Sequence, residues 1–341
     1  MTLPYADAAP TVRATLRAAP QDFRVVEELG FSADGAGEHV FVQVEKIGAN
    51  TGWVAEQLAR FCGVNISQVS FAGLKDRHAV TEQTFSVQLP GKASPDFSSL
   101  KIDGVRVLSS ARNSRKLNRG ALAGNRFEIT LREVLGDRAA FDARIAAIAQ
   151  SAVPNYFGEQ RFGHEHGNLE QARALFLNPR KRVARPLESI YLSAARSEIF
   201  NRVLAARVTD GSWNTLLDGD VAMLDGTHSV FGPEDLTAEL LERARVFDIH
   251  PTGPLWGVGA LRTTLAVESI EKACAEELSD LANGLAARGL KQERRSLRLR
   301  VANLSASWLA VDVVRVDFAL PAGCYATTVI RELALTDPPR A

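Results

Sequence analysis

The chain has 341 residues, 40 Lys+Arg against 40 Asp+Glu, a 46% hydrophobic fraction and 7% aromatics, which is ample apolar material for a core and a length at which two domains is the default expectation. A formal net charge of zero with 23% charged residues excludes disordered, collagen-like and polyanion-coating chains, so any nucleic-acid surface has to be a local patch. Cys62, Cys274 and Cys324 are odd in number and far apart, which fits neither a disulfide framework nor a CxxC metal knuckle and suits a reducing cytoplasm. No basic stretch leads into an apolar one at the start, and no segment approaches ~18 uncharged apolar residues, so neither export nor membrane spanning is expected.

In chain order, Asp22-Phe23-Arg24-Val25-Val26 and the alternation of Val40, Val42 and Val44 with Phe41, Gln43 and Glu45 predict a pair of strands. Asn50-Thr51 can cap a helix with Val54, Leu58 and Phe61 on its apolar face, and Gly63 stands where a C-terminal cap belongs. Val69 to Leu89 reads as two strands interrupted by the polar loop Gly73-Leu74-Lys75-Asp76-Arg77-His78. Arg126 to Arg132 predicts a further strand, and Asp137 to Gln150 a helix burying Phe141, Ile145 and Ile148. Strands and helices here follow no strict βαβ order, which points to an α+β class.

The composition changes at Pro154-Asn155-Tyr156-Phe157-Gly158, after which helix formers dominate Leu187 to Val208 and Val267 to Leu285. Val314, Val316, Phe318 and Leu320 then alternate with polar or small residues before Pro321 and Gly323 break the run. If this last strand returns to the first module, residues 1–152 and 303–341 form one discontinuous domain and 153–302 an insertion. Neither an internal repeat nor a low-complexity tract is present.

The signs of charge segregate. Arg112, Arg115, Lys116, Arg119, Arg126 and Arg132 have only Glu128 against them, Arg294, Arg295, Arg298 and Arg300 cluster again, and Asp210, Asp218, Asp220 and Asp225 gather elsewhere. Such a chain can present a positive face to a phosphate backbone. Ordinary solvated faces are the alternative.

The loop from Phe71 to Thr81 displays one carboxylate, Asp76, flanked by Lys75 and Arg77. Cations so close favour the anion, which suits nucleophilic attack or proton abstraction rather than acid donation. The competing reading is a turn aspartate capping backbone amides.

Gly73-Leu74-Lys75-Asp76-Arg77 with Ala79 and Thr81, Gly124-Asn125-Arg126-Phe127, Asn155 to Gly163 (NYFGEQRFG), Ser193 to Ser197 and Leu320 to Thr327 (LPAGCYAT) occur in one order along nearly the whole chain. Together they resemble the TruD family of tRNA pseudouridine synthases. The resemblance implies a pseudouridine-synthase catalytic domain, with a mixed, mainly antiparallel sheet flanked by helices, that carries an inserted α/β TRUD domain across a cleft. It implies a tRNA partner, isomerisation of uridine 13 in the D stem, no cofactor or metal, no membrane association, and a cytoplasmic monomer. It places Asp76 as the essential aspartate and Phe23, Asn125, Phe127 and Tyr325 around the target base. The sequence departs from the expected pattern at Phe71, Thr84 and Cys324, where Tyr, Trp and Ser are common, and these positions flank the site.

The chemistry suits these residue types independently. Pseudouridine formation breaks N1–C1′, turns the uracil and joins C5 to C1′, and one carboxylate can serve by adding to C1′ or by removing the C2′ proton. A glycosidase normally needs a second, protonated carboxyl, whereas a uracil anion leaves with less help. The base must be extruded from folded RNA and held, which calls for an aromatic face and an amide. Asn125 and Phe127, two apart on one strand, reach the same face. Phe127 alone could equally be an ordinary core aromatic.

Other signals are weak. His164, Glu165 and His166 lack further ligands at zinc spacing. His78 reads as a surface or supporting residue, and Cys62 as a small buried thiol. Gly35-Ala36-Gly37 leads to a strand rather than a helix, so it is not a dinucleotide fingerprint, and no P-loop occurs. The rival to an isomerase is a non-catalytic RNA-binding or RNA-chaperone protein on the same fold. A glycoside hydrolase or nucleosidase would require a second carboxylate.

Overall fold

The structure, a computed structural model, describes residues 3–118, 120–178, 180, 182–232 and 235–337. After β1 (Arg13–Leu16), β2 (Phe23–Glu28) and β3 (His39–Lys46) show the expected alternation, with Phe23, Val25 and Glu27 turned inward on one strand and Val40, Val42, Val44 and Lys46 on the other. α1 (Thr51–Cys62) buries Val54, Ala55, Leu58 and Ala59 and ends at Gly63 with φ 60°, a left-handed conformation that glycine adopts without a Cβ clash. Asn50 holds the N-cap position without a side-chain cap bond. Cys62 is half-buried rather than buried.

β4 (Val69–Phe71) and β5 (Val80–Gln88) flank the 72–79 loop and are followed by β6 (Val105–Asn113) and β7 (Gly124–Leu135). α2 (Arg138–Gln150) buries Phe141, Ile145 and Ile148, as the periodicity predicts. The chain continues through β8 (Val153–Pro154), α3 (Gly167–Leu177), α4 (Arg185–Thr209), β9 (Ala222–Leu224), β10 (Val230–Phe231) and α5 (Ala238–Arg245). Next come β11 (Ile249–Leu255), α6 (Leu265–Glu277), α7 (Ser279–Ala287), β12 (Glu293–Ser296) and β13 (Arg298–Leu299). The helical run expected from Val267 to Leu285 is thus two helices, broken at Leu278, whose φ −115° and ψ 37° leave the helical region. β14 (Ala302–Ala310), β15 (Val313–Pro321), α8 (Ala326–Leu333) and β16 (Leu335–Asp337) complete the chain.

Contacts divide the described residues into two units: 11–149 with 301–323 and 333–337, and 3–10 with 150–300 and 324–332. In the first, the sheet runs β14-β15-β7-β2-β5-β3-β6, antiparallel except for the parallel pair β2 and β5. β1 pairs antiparallel with β7 and parallel with β16, and β4 pairs with β5. α1 packs on β3 and β5 through Val54, Leu58, Val42, Val44, Phe85 and Val87. This is an α+β architecture with a mixed, mainly antiparallel sheet.

The second unit holds a sheet in the order β10-β9-β11-β12 and the pair β13-β8. Its core joins α3, α4 and α7 through Ala172, Ile199, Phe200, Leu204, Leu281 and Leu285. Much of the charge clustering resolves into interior clamps. Arg294 pairs with Glu271 at 2.7 Å with both side chains buried. Arg298 donates to the carbonyls of Ala244, Ile249 (2.8 Å) and Asn214 (3.1 Å), and burial pushes it down to about 10. Arg207 makes a buried ion pair with Asp220 at 3.0 Å. Arg294 and Arg298 thus satisfy interior oxygens instead of contributing to the positive face that their cluster allowed. In the first unit Arg126 and Arg132 pair with Glu128 and Asp22, while Arg115 and Lys116 are exposed. Arg119 lies outside the described residues.

Candidate active site

β7 sets one wall of the site. Asn125, Phe127, Ile129 and Leu131 face inward and Arg126 outward, so the i, i+2 geometry of a strand does bring the amide and the ring to one face. A Cβ on Gly124 would stand 2.6 Å from the Leu320 carbonyl oxygen, so only glycine lets β15 approach the head of this strand. Phe127 lies opposite Phe318 and Val25 in the ladder. Its ring stacks on Phe318 at 5.3 Å and meets Phe23 edge-on at 6.4 Å, a geometry favoured by the ring quadrupoles.

The carboxylate arrives on the 72–79 loop, whose ends Ala72 and Ala79 are buried. Asp76 Oδ1 accepts from the His78 amide at 2.9 Å, and Oδ2 is 3.0 Å from Arg17 Nη1, with the Asp76 side chain 19% exposed. One oxygen thus does what a turn aspartate does, while the other meets a cation, and the side chain as a whole remains partly accessible. The ion-pair partner differs from the sequence expectation. Lys75 and Arg77 were the neighbouring candidates, yet Lys75 turns toward Asn125 and Glu27, and Arg77 Nε donates to the Gly48 carbonyl at 3.0 Å.

Arg17 is held unusually. Its φ is +61°, a left-handed conformation uncommon outside glycine, and its guanidinium lies 4.1 Å from the Phe23 ring centroid. Burial lowers its pKa while Asp76 opposes the shift. The contacts therefore run from Asp76 through Arg17 to Phe23 and on to Phe127, which brings three of the expected residues together.

Asn125 joins through Lys75. Lys75 Nζ donates to Asn125 Oδ1 at 2.7 Å and sits 3.2 Å from Glu27 Oε1. Glu27 faces Asn125 directly across the β2-β7 ladder, and its Oε2 accepts from the Thr84 amide at 2.9 Å. On the protein side of the loop, fully buried Lys46 donates to the main-chain oxygens of Ala49 (2.9 Å) and Asp76 (3.0 Å). Burial pushes its ammonium down to about 8, against the pull of Asp76. The Thr51 hydroxyl donates to Gln83 (3.0 Å) and accepts from the Lys75 amide (3.0 Å), which fixes the loop to the head of α1.

Tyr325 belongs to the second unit. Its hydroxyl accepts from Arg161 Nε at 2.8 Å, Arg161 Nη1 donates to Ser193 Oγ at 2.9 Å, and its ring meets Phe157 at 6.1 Å. The NYFGEQRFG segment is itself pinned: the Phe157 amide donates to Asn201 (2.9 Å), and Asn155 accepts from Arg295 Nη2 (2.6 Å), whose guanidinium lies over Phe157 at 4.2 Å. His164 and Glu165 are 3.9 Å apart and exposed, and among the described residues no group of three or more His, Cys, Asp or Glu side chains is placed to hold a metal. No helix among the described residues is long and apolar enough to cross a membrane.

Arg17, Glu27 and Lys46 were not predicted. Glu27 and Lys46 carried a signal, since each is a charge in phase with apolar inward positions: Phe23 and Val25 before one, Val40, Val42 and Val44 before the other. Arg17 carried none, because only the folded sheet brings it to Asp76.

Fold and site together define an α+β protein with a mainly antiparallel sheet and one partly accessible, arginine-held carboxylate that is linked through the arginine to a ring pair and through the neighbouring lysine to an amide. The family model for tRNA pseudouridine synthase D (TruD) matches residues 2–175 and 168–333. A tRNA pseudouridine synthase D from Xanthomonas campestris pv. campestris (strain 8004) is 49% identical over 344 aligned positions, covering 97% of this chain and 94% of the relative. One from Methylococcus capsulatus is 47% identical, covering 98% and 95%. A crystal structure described as TruD from Methanosarcina mazei superposes with a TM-score of 0.73 at 22% identity, over 97% of this chain and 95% of that one, and so supports the fold. The chain belongs to the TruD family of tRNA pseudouridine synthases.

Proposed function

We propose that the protein isomerises a uridine of tRNA to pseudouridine, with uridine 13 of the D stem as the position the family resemblance implies. The observation that carries this reading is Asp76: a partly accessible carboxylate, fixed by Arg17 and by its own loop, connected through Arg17 and Phe23 to the Phe127 ring and next in the chain to Lys75, which holds the Asn125 amide. Either the carboxylate adds to C1′ as the uracil departs and leaves again as C5 joins C1′, or it removes the C2′ proton as the uracil departs and that proton returns to C2′ as C5 joins C1′. In both, the uracil turns within the site between the two events. The proton lost from C5 is balanced by one gained at N1, so the reaction is redox-neutral and calls for no electron carrier. Phe23 and Phe127 offer aromatic surface to the extruded base, Asn125 reads its edge, and Tyr325 is a second aromatic contact to the RNA.

On this reading residues 1–152 and 303–341 form the catalytic domain and 153–302 the inserted one, and the enzyme works as a cytoplasmic monomer. The test is to incubate an unmodified tRNA pool with the protein and map pseudouridine by carbodiimide adduct formation and primer extension. A stop attributable to uridine 13 is expected. Stops only elsewhere overturn the position, and binding without any stop favours the non-catalytic RNA-binding alternative.

A further inference from the structure

The Lys75, Asn125 and Glu27 triad settles a point that an amide ordinarily leaves open. The oxygen and nitrogen of an asparagine side chain are close to isosteric, and which end faces a ligand must be assigned from its partners. Lys75 decides it here, because an ammonium has three donors and no acceptor, so the amide atom 2.7 Å from its Nζ is Oδ1. Lys75 is itself immobilised: its side chain is 8% exposed and lies 3.2 Å from Glu27 Oε1, on a side chain 1% exposed. Glu27 is in turn tied to the Thr84 amide at 2.9 Å. Reversing the amide would set an NH₂ group against an ammonium. Among the described residues Asn125 Nδ2 has no hydrogen-bond partner, while Oδ1 is taken.

We infer that Lys75 is a positioning residue for base recognition: it commits the Asn125 oxygen to the protein, so that Asn125 meets the base only as a donor, through Nδ2, to a carbonyl oxygen of uracil. This inference rests on the proposed reaction and adds the polarity of its recognition. A donor opposite a carbonyl rewards uracil, and opposite an exocyclic amine it leaves two donors facing each other, the kind of mismatch that polar sites reject strongly. Glu27 balances the Lys75 charge, so the amide is oriented without an unpaired cation under the base.

The test measures single-turnover pseudouridine formation by saturating protein, together with tRNA affinity, for Asn125→Asp, Lys75→Met and Lys75→Arg. Asn125→Asp is close to isosteric and keeps a partner for Lys75, yet has no donor to offer. It is expected to lose about 10–100-fold in rate, the range for a buried group left without its hydrogen bond. Lys75→Met frees the amide to turn and is expected to lose about tenfold, with Lys75→Arg recovering part of that loss because it restores a donor. All three keep tRNA affinity within about threefold, since phosphate contacts dominate it. Asn125→Asp turning over at the unaltered rate overturns the inference, and it decides alone if Lys75→Met does not fold. Lys75→Met at the unaltered rate also overturns it. Failure of the unaltered protein to convert any tRNA would instead remove the proposed reaction and this inference with it.

Discussion

Replacing Lys46 with methionine should change how stability depends on pH, and the size of the change follows from the burial of one ammonium group. Lys46 is fully buried, its hydrogen bonds go to the carbonyl oxygens of Ala49 and Asp76, and burial lowers its pKa from 10.5 to about 8. The folded state therefore gives up this proton before the unfolded chain does. Between pH 8 and 10.5 the unfolded state holds more protons, so stability attributable to this group rises with pH across that window and is flat below it. Integrating the linkage relation from pH 8 to pH 10 gives a gain of about 2 kcal/mol. Urea unfolding followed by far-ultraviolet circular dichroism, at pH 8 and pH 10 on both proteins, measures it. The unaltered protein should gain about 2 kcal/mol more than Lys46→Met between the two conditions. An equal change in both would refute the argument that the buried ammonium, rather than other titrating groups, sets this slope.

Arg17→Met removes the 3.0 Å partner of Asp76 and the cation over Phe23. Hydrogen bonds to charged groups contribute about 1.5–3 kcal/mol, so the single-turnover rate should fall roughly 10–150-fold with tRNA affinity little changed, and an unchanged rate would remove Arg17 from the site. Phe127→Ala takes out a ring that is 5% exposed and stacked on Phe318, so it should cost about 3–5 kcal/mol of stability, seen in the urea midpoint. Phe127→Leu separates the two roles: it should keep most of the stability but lose the base-stacking surface, worth ~1–3 kcal/mol per base, and a normal single-turnover rate in that variant would return Phe127 to the core alone.

Local patterns of apolar spacing made most elements of the first unit legible. The alternation at Val40, Val42 and Val44 and the i, i+2 pairing of Asn125 with Phe127 survive intact because a strand has a fixed two-residue period. The break at Leu278 was hidden because the helical spacing of Val267, Ile270, Cys274, Leu278, Leu281 and Leu285 runs straight through it, although Ser279 and Asp280, which favour helix caps over interiors, mark the restart. Charge was read least well. Arg294 and Arg298 look like surface cations in a list of residues, but each is spent on interior oxygens far away in sequence, Glu271 for one and the Ala244 and Ile249 carbonyls for the other. The Asp76 partner was missed for the same reason: Lys75 and Arg77 are adjacent in the chain, but loop geometry turns them elsewhere and delivers Arg17 from the end of β1.

The central claim is that Asp76 carries a uridine isomerisation, and the most direct measurement is tritium release from tRNA transcripts labelled at uridine C5, because joining C5 to C1′ expels that hydrogen. The unaltered protein should release tritium and Asp76→Asn none, with the variant still binding tRNA within a few-fold of the unaltered affinity. Release by Asp76→Asn at the unaltered rate, or none by either protein from a complete tRNA pool despite binding, would contradict the account.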